Sequence, residues 1–296
     1  MALNIQVFKT RALTALLFVA VMLTGLLWNF WSFLILISVI HFGCWFEYIK
    51  LVENSYTTRI DNVIKWFLTI CGYTLMVVAG QHQIGGDLFL EILGYQVSLK
   101  ILFWVFLFIC LLIFLFQNRQ VISKAKWMSL AGLVYISLSL AALINLYTTA
   151  PLHFSGSIID IKDGRLPIFI IVSIWINDTM AYLVGSFIGK TPLSKISPKK
   201  TWEGTLGGII LSIVVITIII YSLYQLTAID MFGIALIPAL SAIFGTFGDL
   251  FESKLKRLAN VKDSGSFMPG HGGFLDRFDS LLFAAPAVWL YVKLLL

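Results

Sequence analysis

Long stretches without a charge recur from one end of the chain to the other. Residues 12–46 hold no Asp, Glu, Lys or Arg over 35 positions. That is too long for one helical crossing of a bilayer, which takes about 20 residues, and long enough for two joined by a tight turn. The turn is predicted at Trp28-Asn29-Phe30-Trp31. Further spans are predicted at about 63–82, 101–118, 127–148, 166–189, 205–226 and 231–250, each near the same crossing length. A ninth, about 274–295, has only the 13 charge-free residues 280–292 at its centre. Phe274, Leu275 and Phe278 extend it at one end, and Lys293 can snorkel at the other. The pattern predicts an all-α polytopic membrane bundle of about nine transmembrane helices.

Composition agrees. Apolar residues make up 59% of the 296 and charged residues only 12%, against about 25% charged in soluble domains, which excludes a water-soluble monomer. The 21 Lys and Arg exceed the 15 Asp and Glu by 6, but the excess lies between the apolar runs. There is no basic tail or aromatic-plus-basic stripe to track a nucleic-acid backbone, so no nucleic-acid partner is expected. With the N-terminus inside and nine crossings, 17 of the 21 basic residues fall on the cytoplasmic side, leaving Lys100, Lys162, Arg165 and Lys293 outside. The expectation is a multi-pass protein of the cytoplasmic (inner) membrane with its C-terminus outside.

Lys9 and Arg11 open the first run without a small-residue cleavage site after it, so that span is expected to remain uncleaved. Cys44, Cys71 and Cys110 lie apart in apolar runs with no ligand spacing, which excludes a disulfide framework and a zinc site. His41, His82 and His153 have no partners in sequence and read as structural or interfacial. Residues 84–99 read as an interfacial piece on the outer face.

Charges and glycine clusters enter the spans only in the C-terminal half. Residues 1–160 therefore read as a scaffold of about five spans. Residues 161–296 read as the catalytic part: about four spans with cytoplasmic loops at 190–204 and 251–273, placing the active site toward the cytoplasmic face. Asp178 lies near the middle of the run 166–189, where a charge costs roughly 2.5–3.5 kcal/mol, so it is either a hydrogen-bonded structural residue or the wall of a polar cavity. Gly185-x-x-x-Gly189 on the same helix fits close helix packing.

The next loop carries Ser197, Lys199, Lys200, Thr201 and Glu203 before a Gly-rich helix start. It suits a polyphosphate, because helix N-termini offer free N–H groups and a favourable dipole. A lysine pair at a membrane boundary is equally an orientation anchor.

The densest chemistry follows. Asp249 and Glu252 lie one helical turn apart, then come Lys256, Arg257, Lys262, Asp263, His271, Gly272, Gly273, Asp276, Arg277 and Asp279. Asp249 is expected to end one helix and Asp276 to begin the next, with 26 residues between them that leave and return to one membrane face. Hard carboxylate oxygens without His or Cys suit Mg²⁺, with Asp249 and Asp276 as ligands and Asp279 adding a further contact. Gly272-Gly273 before a helix offers backbone donors to a phosphate. Lys256, Arg257, Lys262 and Arg277 supply positive charge, and His271 either orients a phosphate, acts as an acid or serves the turn. The parts describe metal-assisted nucleotidyl or phosphoryl transfer.

At these residues the chain resembles the phosphatidate cytidylyltransferase (CDP-diacylglycerol synthase) family. The signature runs Ser253-x-Leu255-Lys256-Arg257, four residues, Lys262-Asp263-x-Gly265, then Pro269-x-His271-Gly272-Gly273-Phe274-x-Asp276-Arg277-Phe278-Asp279. Met268 stands where the family usually has Ile, Leu or Phe. The Ser197–Gly204 stretch and Asp178-x-x-Ala181-Tyr182-x-x-Gly185 match further family segments, so the resemblance covers residues 175–280.

It implies that CTP and phosphatidic acid give CDP-diacylglycerol and pyrophosphate within membrane lipid. It also implies metal ligands at Asp249 and Asp276, room for a second cation such as K⁺ beside Mg²⁺, and a homodimer. A CTP-dependent polyprenol or phytol-type lipid kinase is the nearest rival. An ion-coupled transporter built around Asp178 is a more distant one, weakened by the absence of an internal repeat.

Overall fold

The computed structural model describes the backbone of residues 5–84, 89–92, 95–98, 101, 104–105, 108, 112, 123–149, 152–154, 157–159, 164–224, 227–267 and 272–295. Among them α1 (Ile5–Leu27), α2 (Phe30–Tyr56) and α3 (Asn62–Ile84) come first. A fourth rod follows, made of α4 (Ser123–Gly132), a π-helical stretch Leu133–Leu138 and α5 (Ser139–Tyr147). Then come α6 (Arg165–Ile188), α7 (Trp202–Tyr224), α8 (Ala228–Leu258) and α9 (Leu275–Leu295).

Among the described residues seven of these rods are long and apolar enough to cross a membrane, and the apolar part of α1, Leu13–Leu27, is shorter. The chain is a helical membrane protein. Most of the predicted span 101–118, with Cys110, lies outside the described residues, and so do Lys100, Arg119 and Lys162. The predicted interfacial piece contains an antiparallel hairpin, β1 (Phe89–Ile92) with β2 (Tyr95–Ser98). A second hairpin pairs β3 (Leu152–Phe154) with β4 (Ser157–Ile159).

The α1–α2 turn falls where Asn29 interrupts the apolar run, and its chemistry is local. The Asn29 side chain accepts from Ser32 N–H at 2.9 Å, and Ser32 Oγ accepts from Asn29 N–H at 3.1 Å. This reciprocal capping box satisfies two donors that would otherwise be orphaned at a helix start. In the fourth rod the π-helical stretch carries Ser137 to α2, where its hydroxyl accepts from Trp45 Nε1 at 2.8 Å and lies 3.0 Å from His41 Nε2. His41 thus has a structural partner, while the side chains of His82 and His153 lie outside the described residues.

Helices in lipid gain little from apolarity alone and associate through close packing and interhelical hydrogen bonds. Both devices appear where α6, α7, α8 and α9 meet. Gly185 of α6 faces Gly204 of α7, Gly208 lies against the Asn177 carbonyl, and Gly248 of α8 lies against the Asp279 carbonyl and Ser280 of α9. Ser212 Oγ donates to the Ser173 carbonyl at 2.9 Å. At Gly204, Gly208 and Gly248 a neighbouring backbone occupies the space a side chain would need. Leu206, Ile210, Val214 and Ile218, spaced by four, form an exposed stripe on α7 that suits lipid.

α9 is the innermost of the C-terminal rods. Leu281, Leu282, Ala284, Ala285 and Val288 are buried. Trp289 Nε1 donates to Asn145 Oδ1 at 2.9 Å, and Tyr291 Oη donates to the Gly233 carbonyl at 2.8 Å.

One boundary differs from expectation. The eighth span was expected to end near Asp249, but α8 continues to Leu258. The charges that end the apolar run do not end the helix, because Glu252 and Lys256 pair at i,i+4 with a 2.6 Å separation. Lys256 and Arg257 in the last turn also suit the negative end of the helix dipole.

Candidate active site

A cavity of about 480 Å³ opens among α6, the 189–201 loop, α7, α8 and α9. Its wall brings together Asp178, Ser197, Lys199, Lys200, Thr201, Asp249, Asp276 and Asp279. Residues from three separate sequence motifs thus share one space. A smaller cavity of about 130 Å³ shares Asp178, Asp276 and Asp279 with it, and is lined on its other side by Phe18, Met22, Trp175 and Phe278. Arg277 lines this smaller one. A wider groove of about 1030 Å³ between the fourth rod, α8 and α9 is lined almost wholly by apolar side chains such as Leu240, Phe244 and Leu290. It lacks the charged groups that phosphate chemistry needs.

The close approach of Gly248 to α9 sets the acids together. Asp249, Glu252 and Asp279 each place a carboxylate oxygen within 4.8 Å of the others. Glu252 is fully buried, Asp279 is nearly so, and no donor among the described residues reaches Glu252 Oε1. Three carboxylates this close repel one another unless positive charge lies among them. Two lysines offset part of the charge. Lys200 forms an ion pair with Asp249, and Lys256 Nζ lies 2.6 Å from Glu252 Oε2. Burial alone would lower the pKa of Lys200, but Asp249, with Asp178 and Asp279 beyond it, raises it above the ordinary 10.5, so the ammonium stays charged at neutral pH.

Asp276 is not one of these three mutually close acids, although it lines the same cavity and shares the Lys256 ammonium with Glu252. Its Oδ1 lies 2.6 Å from Lys256 Nζ, and its Oδ2 accepts from Ser264 N–H at 2.9 Å and Gly273 N–H at 2.8 Å. The glycines beside it follow from this arrangement. Gly272 has φ of 85°, a left-handed conformation, and a Cβ there would crowd the Asp276 carboxylate. The expectation of bare donors at Gly272-Gly273 therefore differs from the structure at Gly273, whose N–H is engaged within the protein.

Every early N–H of α9 is likewise occupied. Leu275 N–H donates to Glu47 Oε2 at 2.9 Å, Asp276 N–H to Ser264 Oγ at 3.3 Å, and those of Arg277 and Phe278 to the Phe274 carbonyl at 3.0 and 3.2 Å.

Around the loop start, Thr201 Oγ1 accepts from Gly204 N–H at 3.2 Å as a helix cap. Glu203 does not line the cavity. Its carboxylate accepts from Lys190 N–H at 3.1 Å and Thr191 N–H at 3.2 Å, pinning the loop's return. Arg257, Lys262 and Asp263 are exposed and do not line the cavity either. His271 lies outside the described residues, as do Met268, Pro269 and Gly270. Glu47, from the region read as scaffold, is the residue that sequence reasoning missed. The available signal was weaker than at Asp178, because Glu47 stands at the end of the charge-free run 12–46 with Lys50 three residues on.

Comparison with known proteins agrees with the motifs. A phosphatidate cytidylyltransferase of Bacillus subtilis is 47% identical over 124 residues, covering 42% of this chain and 45% of that protein. One from Thermotoga maritima is 42% identical over 137 residues, covering 43% and 49%. The chloroplastic phosphatidate cytidylyltransferase 4 of Arabidopsis thaliana is 46% identical over 117 residues, covering 40% and 29%. The matched part spans less than half the length of each of these relatives. A family model described as the cytidylyltransferase family matches residues 9–295. By that match, which takes in nearly every residue, the chain belongs to the cytidylyltransferase family.

Proposed function

We propose that this chain transfers the CMP unit of CTP to phosphatidic acid, giving CDP-diacylglycerol and pyrophosphate. The observation that carries the reading is the convergence of Asp178, the Ser197–Thr201 loop and the α8–α9 acids on one cavity that adjoins an aromatic-walled one beside α1. A soluble, highly charged donor and a lipid acceptor need such a junction. The names of the similar proteins support the same pair of substrates. The excess of basic residues on one side supports a cytoplasmic position for the site in the inner membrane.

The donor set fits Mg²⁺: hard oxygens, no soft ligand, and a buried oxygen at Glu252 that lacks a donor. Asp249, Glu252 and Asp279 would hold the ion, while Asp276, whose oxygens are engaged by protein donors, holds the turn before α9. When bound, Mg²⁺ supplies neutralisation of charge at the α-phosphate and the departing pyrophosphate.

Lys199 and Lys200 face the space the triphosphate would occupy, and Arg277 faces the smaller cavity assigned to the lipid phosphate. A phosphomonoester has a second pKa of about 6, so phosphatidate is already an anionic nucleophile at neutral pH and needs no general base. One of its oxygens bonds to the α-phosphorus, the bond from that phosphorus to the α–β bridging oxygen breaks, and pyrophosphate leaves with the electron pair. The chain's residues act by positioning and by charge.

The test is incubation of the purified protein in lipid vesicles with phosphatidic acid, Mg²⁺ and CTP labelled at either the α or the γ phosphate. Label entering lipid from the α position and not from γ supports the proposal. Lipid labelled only from γ would make the chain a kinase, and no labelled lipid from either would overturn transferase and kinase together.

A further inference from the structure

The site is tied to the N-terminal helices through one side chain. Glu47 sits on α2, is 6% exposed, and reaches across 227 positions of sequence to the turn that precedes α9. Its Oε1 accepts from Phe274 N–H at 3.0 Å, and its Oε2 accepts from Leu275 N–H at 2.9 Å and Ser264 Oγ–H at 2.6 Å. Ser264 Oγ also lies 3.0 Å from Asp276 Oδ2, so its one proton has two carboxylates in reach, of which Glu47 is the nearer, and its lone pairs accept from Asp276 N–H. Glu47, Ser264 and Asp276 therefore form a continuous chain of bonds centred on the Ser264 hydroxyl. Gly265 and Gly273 complete the cradle, since a Cβ at either would collide with the Glu47 carboxylate. Two glycines of the sequence signature thus have their steric reason in a helix more than two hundred positions away.

We infer that Glu47 is a positioning residue for the reaction, acting through Ser264 and the α9 N-terminus to hold Asp276 and Asp279 in register with α8. The physical basis is the number and kind of its bonds. Two backbone N–H groups at a helix start and a buried hydroxyl all point at one carboxylate, and hydrogen bonds to a charged acceptor are about twice as strong as neutral ones. A negative charge there also suits the positive end of the α9 dipole. Neutral Gln at this position keeps the shape but turns an NH₂ group toward at least one donor, so the turn loses an anchor without gaining a cavity. The catalytic consequence rests on the cytidylyl-transfer reading, whereas the anchoring itself does not.

The experiment uses the full chain in vesicles as wild type, E47Q, E47D, S264A and the double variant E47Q/S264A. It reads steady-state CDP-diacylglycerol formation and backbone hydrogen exchange across 262–279. E47Q is expected to lower kcat by roughly 10–100-fold, the range seen when a group that orients ligands is removed, with KM for CTP changed less than about threefold. E47D is expected to recover part of the loss. The loss in E47Q/S264A should fall well short of the product of the two single losses, because both break one chain of bonds. Exchange should rise across 262–276 in E47Q while α2 and α3 stay protected.

Wild-type kcat in E47Q, or unchanged exchange across 262–276, would overturn the proposal. Equal losses in E47D and in a fully truncated E47A, accompanied by faster exchange everywhere, would make Glu47 merely structural and overturn it as well. If the wild-type chain makes no nucleotide lipid, the functional reading fails, and the exchange measurement alone still decides whether Glu47 anchors the turn.

Discussion

Asp276 and the trio Asp249, Glu252 and Asp279 are carboxylates of a single site that share Lys256 but differ in their supply of backbone donors. Asp276 is met by an ammonium and two backbone N–H groups. The trio lies within 4.8 Å of itself and is met by two lysines and, at Asp279, one backbone N–H from Ser280 at 2.6 Å, with the buried Glu252 Oε1 reached by no donor among the described residues. Read from sequence, Asp249 and Asp276 pair as ligands, Asp279 adds a further contact and Glu252 has no metal role. What separates them is donor supply: a carboxylate saturated by protein donors organises the protein, and a cluster short of donors attracts a cation.

Substitutions that remove one charge at a time would break or sharpen this contrast. The largest effect is expected from Asp249→Asn and Asp279→Asn. Each should reduce CDP-diacylglycerol formation by roughly 10²–10³-fold, the usual loss when one electrostatic element leaves an active site. Because Asp279→Asn relieves like-charge repulsion, its thermal stability without divalent cations should stay level or rise in a melting experiment. Asp276→Asn is expected to behave in the opposite way. It leaves buried N–H donors facing an amide, so it should destabilise the chain by about 1–3 kcal/mol in denaturant unfolding, with activity falling in step.

Lys200→Met comes next. Losing a charge-assisted contact to phosphate should raise KM for CTP about tenfold or more in steady-state kinetics. The smallest effect is expected at Arg257→Ala and Lys262→Ala, which carry signature residues off the cavity wall. Their kcat/KM should change by less than about twofold, and a larger loss would place them at the nucleotide after all.

Much of this was legible in the sequence. The α1–α2 turn, predicted at Trp28-Asn29-Phe30-Trp31 from the length of the charge-free run, falls at Trp28-Asn29, where Asn29 and Ser32 supply the capping chemistry. Asp178 lines the cavity, one of the two roles its sequence position left open, and Lys199, Lys200 and Asp276 line it too. Two things were not legible. The end of α8 was hidden because hydropathy measures where lipid stops, whereas helix propagation depends on local pairing such as Glu252 with Lys256. The role of Gly273 was hidden because a Gly-Gly pair before a helix fits either an anion or a carboxylate from elsewhere. The deciding partner, Glu47, is carried by a helix whose own sequence gives no hint of what faces it.

The contrast between Asp276 and the trio is tested most directly by divalent-cation binding, measured without substrate. Titration of the purified chain with Mn²⁺ as a paramagnetic stand-in for Mg²⁺ counts the bound ions by magnetic resonance. Binding is expected in the wild type, lost in Asp279→Asn and retained in Asp276→Asn. Retention by Asp279→Asn together with loss in Asp276→Asn would contradict the assignment and return the metal to the turn before α9.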